Sequence, residues 1–318
     1  MLTSIACRCT SFAVLILGVS WPLGSVSAQA GASSLDPQVI ESITGLKVVH
    51  AEKERVFKIG KPRDDVKFIV DGVAMPPFMG LTSTAMFMKG HGSQAMVMGD
   101  TVLLQDEVNA VMTVALDSGL EVTALHNHFF FDEPRVYFMH IGGQGEASKL
   151  AEGIKKMYDK VREIRAATPQ PASRFAGTPT SQPNAITAKP LESIFGAPGE
   201  SNNGMFKVVI GRTGRMHGLE FGKEMGLNTW AAFAGSDENA IVGGDFAMLE
   251  SELQPVLKSL RKDGINIVAI HQHMSNEQPR YLFLHYWGKG KAVDLARSVK
   301  TALDTQAKVQ RQDPAPKH

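Results

Sequence analysis

The feature that most restricts how this chain can fold is that it is written twice. Two segments, Gly99-Asp100 to Asp159 and Gly244-Asp245 to Asp304, run in parallel without a gap at an offset of 145 positions. About a third of the paired residues are identical. They include Glu107/Glu252, Gly119/Gly264, His126/His271, His128/His273, Pro134/Pro279, Arg135/Arg280, Phe138/Phe283 and His140/His285. Upstream, Gly80 to Phe87 matches Gly226 to Phe233 after a one-residue slip, and Glu41 to Gly45 echoes Glu192 to Gly196. A repeat of this kind is a structural unit used twice. The units cover 31–166 and 191–309. Between them, 167–190 is rich in Pro, Thr, Ser and Ala, which is linker composition. The segment 310–318, with Pro314 and Pro316, reads as a disordered tail.

Each unit alternates strand and helix signals. Asp36-Pro37 starts a helix that Gly45 stops. Val66 to Met75 alternates around Asp71-Gly72, a two-residue hairpin signal. Ala85 to Lys89 and Gln94 to Leu103 form a further strand pair. Apolar residues at Val108, Val111, Met112 and Ala115 have helical spacing, and Gly119 ends that helix. Strands over Glu121 to His128 and Arg135 to Ile141 precede an amphipathic helix from Ala147 to Ile164. Strands joined by short turns make an antiparallel sheet with helices packed on it, an α+β unit in tandem duplication. Side-by-side and face-to-face packing of the two sheets are both compatible with the sequence.

The first thirty residues have the pattern of a secretory signal peptide. Arg8 precedes an apolar run from Ser11 to Trp21, and small residues offer cleavage after Ala28 or Ala30. The run is shorter than the roughly 18 residues a membrane span needs, so we expect an exported, soluble protein without a span. Cys7 and Cys9 fall inside this segment, and Cys7 precedes the apolar run, which argues against lipidation. With no other cysteine, the mature chain forms no disulfide. The formal charge of +1 and the absence of a basic block exclude an electrostatic nucleic-acid binder.

Chemistry concentrates in two matching stretches, His126-x-His128 to His140 and His271-x-His273 to His285. Residues two apart on a strand share a face, so His126 and His128 project together. A turn centred on Glu133 sets His126 opposite His140 and His128 opposite Phe138, with opposed Cβ atoms roughly 5 Å apart. Three imidazoles so placed can hold one divalent metal such as zinc, as in open three-ligand sites. They can equally form a metal-free ligand or acid–base site, or pack structurally with Phe138 and Phe283. The remaining histidines, His50, His91, His217 and His318, do not recur.

Four further residues are candidate ligand contacts. Arg135 and Arg280, after the proline at the turn exit, can clamp a carboxylate or phosphate, or bond turn carbonyls instead. Strict alternation puts them on the face away from the histidines. Glu107 and Glu252 recur at a helix start, where either a ligand role or compensation of the helix dipole explains them. Asn127 and Gln272 conserve an amide between copies, suited to hydrogen bonding at a strand edge.

His126-x-His128 with Glu133, and His271-x-His273 with Glu277, fit the first half of the cupin metal motif, but the second half is missing. Ala124 to Gly145, Ala269 to Gly290 and Leu227 to Phe233 resemble the LppY/LpqO family instead. That resemblance implies a cell-envelope location and brings no established activity, cofactor or catalytic residue. Three functions fit. The first is an exported protein binding a metal ion or small polar ligand. The second is a metal-dependent hydrolase with Glu133 or Glu107 as base, although no Gly-x-Ser-x-Gly, His-Glu-x-x-His or P-loop motif is present. The third is an envelope protein without a site. Oligomeric state leaves no trace in the sequence.

Overall fold

The computed structural model describes residues 35–312 except 176, 178, 179 and 181. The segment read as a signal peptide, both cysteines and the last residues of the segment read as a tail lie outside the described residues. In the first half the elements run α1 (Pro37–Thr44), β1 (Val49–Ala51), β2 (Val56–Pro62), β3 (Phe68–Val70), β4 (Val73–Met75), β5 (Thr82–Lys89), β6 (Ala95–Leu104), α2 (Gln105–Asp117), β7 (Glu121–His126), β8 (Asp132–Glu133), β9 (Val136–Gly145) and α3 (Ala147–Ala167). The second half repeats them as α4 (Ala188–Phe195), β10 (Glu200–Asn202), β11 (Met205–Gly211), β12 (Gly214–Met216), β13 (Leu219–Phe221), β14 (Asn228–Gly235), β15 (Ala240–Leu249), α5 (Glu250–Lys262), β16 (Asn266–His271), β17 (Tyr281–Gly290) and α6 (Ala292–Gln312). A single bridge between Arg215 and Gln278 replaces β8.

Local chemistry explains the boundaries. The Asp36 carboxylate accepts from the Gln38 N–H 2.9 Å away and so caps α1, and Gly45 ends the helix in the left-handed region at φ 68°. Asp71 and Gly72 both take positive φ, the combination a tight β3–β4 turn requires. Helix α6 runs through Gln312, so the segment read as tail begins as helix.

The two halves lie side by side in one antiparallel sheet of twelve strands, ordered β1-β2-β5-β6-β9-β7-β16-β17-β15-β14-β11-β10. They meet where Leu125 of β7 pairs with Ile270 of β16. Both side chains are buried, and partners across a ladder share a face. One apolar core runs under this face through both halves, taking Ile40 of α1, Met112 of α2, Ile154 of α3, Leu191 of α4, Leu257 of α5 and Val299 of α6. His126 and His271 follow Leu125 and Ile270 by one residue, so both project from the opposite face. There, two smaller clusters are built around Phe138 and Phe283.

Candidate metal centre

Each histidine cluster stands on three strands: β7, β9 and β6 in the first half, and β16, β17 and β15 in the second. The register differs from the one the sequence suggests. His140 pairs with Ala124 and His126 with Phe138, a slip of two residues. The slip arises because residues 127–135 are not a tight turn. Asp132 and Glu133 leave to pair with Val70 and Ile69 of β3. The Asp132 carboxylate also accepts the Val136 N–H 2.7 Å away. A shift of two preserves side-chain parity, so the histidines still share a face. His128 and His273 lie beyond the ends of β7 and β16.

In the first copy, Nε2 of His126 and Nε2 of His140 are 3.0 Å apart. His128 lies flat on Phe138, ring centroids 3.3 Å apart. In the second copy, Nε2 of His271 and Nε2 of His273 are 3.0 Å apart, and His273 stacks on Phe283 at 3.6 Å. The His271 and His285 rings stack at 4.8 Å. The phenyl rings therefore act as floors that hold the second histidine of each pair. His128 and His273 are exposed, so both clusters reach solvent.

Sequence reasoning missed one member of each cluster. Asp100 pairs with His140, and Asp245 with His285, across the neighbouring strand. Oδ2 of Asp245 lies 3.1 Å from Nε2 of His273, while its buried Oδ1 has no hydrogen-bond partner among the described residues. Oδ1 of Asp100 is likewise buried and unpartnered. A ligand atom from each of Asp245, His271 and His285 falls within 4.8 Å of the others. Both aspartates follow the glycine that opens the gapless alignment, and that recurrence was the available signal. At Gly244 a Cβ would meet the Tyr286 hydroxyl at 2.3 Å, so a side chain there is incompatible with the ring packed across it.

The electrostatics favour uncharged imidazole at His271 and His128. Burial, then the neighbouring His285 and His273, push His271 down to about 4. Burial also lowers His128, against the attraction of Asp100. Burial raises Asp245 in spite of His285 and His273. The neutral histidine that results is the form that ligates metal.

The other candidate contacts are placed elsewhere. The Glu107 carboxylate is fully buried and accepts from Arg63 at 2.7 and 3.0 Å and from the Leu104 N–H at 2.8 Å. Glu252 repeats this with Arg212 at 3.0 and 3.2 Å, the Leu249 N–H at 2.8 Å, and Gln306 and Gln310. These glutamates anchor helix starts to a buried (Arg63) and a half-buried (Arg212) arginine and are not brought to the histidines. Arg135 and Arg280 are exposed and make no ion pair among the described residues. Arg280 lines a cleft of about 780 Å³ with Glu250 and Gln254 of α5, which puts it on the helix side of the sheet. Arg135 lines another of about 740 Å³ with Asn127 and Phe129. Glu133 is exposed on β8, and Glu277 is buried, accepting the Tyr281 N–H at 3.0 Å. Among the described residues no glutamate joins the converging group of Asp245, His271 and His285.

The family model described as Domain of Unknown Function (DUF1259) matches residues 38–160 and 189–305, one segment in each half. No curated protein matches the chain. Among solved structures, a trimeric bacterial microcompartment shell protein, PduB, aligns over 84% of this chain and 93% of its own at 12% identity. Its TM-score of 0.21 is too low to carry an argument about fold or role.

Proposed function

From a chain that belongs to the DUF1259 family, whose description assigns no activity, we propose a divalent-metal-binding protein with its principal site at Asp245, His271 and His285. The observation that carries this reading is the convergence of one carboxylate and two imidazoles within 4.8 Å. Two nitrogens and one oxygen suit zinc or a similar first-row metal, and three protein ligands leave coordination positions open for water or a small polar ligand. His273, bonded to Asp245, supplies a fourth donor or orients the carboxylate. Asp100, His126 and His140 form the pseudo-equivalent site, with His128 beside them. The metal, when bound, would supply Lewis acidity, and burial keeps His271 neutral to receive it. The signal-peptide pattern of the first thirty residues supports a role outside the cytoplasm, and the LppY/LpqO likeness supports the cell envelope.

Metal analysis of protein purified without an affinity tag tests the proposal. Stoichiometric metal that is lost from a folded H271A/H285A variant supports it. Absence of metal after incubation with zinc, manganese, iron and copper, one at a time, defeats it.

A further inference from the structure

The two copies also part company beside the buried glutamates. In the second half, Gln306 of α6 donates to the Ala247 carbonyl at 2.8 Å and to Glu252 at 2.7 Å, and Gln310 donates to Glu252 at 2.7 Å. At the offset of 145, their counterparts on α3 are Val161 and Arg165. Valine is shorter and has no donor. The Val102 carbonyl, counterpart of Ala247, accepts from Nη1 of Arg63 at 2.9 Å, as Ala247 accepts more loosely from Arg212 at 3.4 Å. Arg165 turns to Asp106 and to Glu107, with Nε 2.9 Å from the latter. The space that a glutamine fills in one copy is open in the other. It forms part of a cavity of about 640 Å³ lined by Leu46, Tyr158, Val161, Lys61, Arg63 and Arg165.

Two polar groups at this cavity lack partners. The Tyr158 hydroxyl, where the second copy has Leu303, makes no hydrogen bond among the described residues. Burial raises its pKa, so it stays protonated and able to donate. Arg165 is 8% exposed, and its Nη1 is buried without a partner among the described residues. A ligand that supplies an acceptor to the Tyr158 hydroxyl gains a hydrogen bond that the protein itself does not provide. The volume lies within the range of small-molecule sites.

We infer that this cavity binds a small amphipathic molecule, its apolar body against Leu46 and Val161 and its hydrogen-bond-accepting head at the Tyr158 hydroxyl. The site is separate from the histidine clusters and does not depend on metal.

Titration of the full chain with anilinonaphthalenesulfonate, an apolar ring system bearing an anionic acceptor, tests the inference by fluorescence. We expect saturable binding to one site. Val161→Gln restores the plug of the second copy, and binding should weaken by about tenfold or more. Its melting temperature and metal content should match those of the wild type. Val161→Met fills the same space without a polar group and should weaken binding likewise. Tyr158→Phe removes the donor and should weaken binding less. Non-saturable binding, or binding unchanged in folded Val161→Gln and Val161→Met, overturns the inference.

Discussion

Asn109 of the first half grips Ile267 of the second by both of its backbone groups, amide nitrogen to carbonyl at 3.1 Å and amide oxygen to N–H at 2.7 Å. Gln254, its counterpart in the second half, holds Val122 in the same way at 2.8 and 3.0 Å. β7 and β16 pair directly at Leu125 and Ile270. Next to that pairing each strand bulges, between Val122 and Ala124 and between Ile267 and Ala269. The reciprocal amides satisfy the backbone groups left free there. Asn109→Leu should therefore cost about 1–3 kcal/mol, the penalty for leaving buried backbone groups unpaired. Urea denaturation should give a single transition with a lower midpoint, because one core spans both halves. Two separated transitions in the wild type would contradict a shared core.

Glu252→Ala removes the acceptor for Arg212, Gln306, Gln310 and the Leu249 N–H together. Breaking a buried pair from one side leaves an uncompensated charge and costs about 3–5 kcal/mol. Glu107→Ala leaves Arg63, which is 3% exposed, with Asp65 as its remaining ion-pair partner, and should cost less. The folded fraction of either variant should bind metal as the wild type does. Loss of metal at unchanged stability would instead place these glutamates in the ligand set.

The α+β duplication and the shared face of the histidines could be read from alternation and repetition, since a period of two fixes the face even when the register slips. The register could not, because it depends on Asp132 and Glu133 leaving the hairpin for β3, a tertiary pairing with no local signal. Asp100 and Asp245 stayed hidden for a similar reason. They come from the strand beyond the hairpin, and which strand lies there is a matter of sheet order. Arg63 and Arg212 were equally invisible as partners of Glu107 and Glu252, since 44 and 40 residues separate them in sequence.

The low pKa of His271 sets a direction for acid stability in the metal-free protein. Its folded value, about 4, lies below the ordinary 6.5. The folded state thus holds the ring neutral while the unfolded chain takes up a proton. This group's contribution is constant above pH 6.5, declines as pH falls from there to about 4, and is level below. His271→Phe removes the titration, so the difference in unfolding free energy between wild type and variant should change across that window. A difference that is flat with pH would show that His271 titrates normally.

The two clusters should not bind metal equally. In the second, Asp245 already lies against His273, and a carboxylate oxygen and two imidazole nitrogens converge. In the first, His126 and His140 touch through Nε2 as His271 and His273 do in the second, but among the described residues no carboxylate oxygen and two imidazole nitrogens converge so closely. Asp245→Ala should therefore weaken zinc binding by at least about 10–100-fold, the scale on which even partners outside the ligand set act. Asp100→Ala should weaken overall binding less, chiefly by removing a second, looser equivalent. Competition with a chromogenic chelator separates the two classes. The opposite ranking, with Asp100→Ala the more damaging, would move the principal site to the first half and make the His126–His140 contact a feature of the empty state.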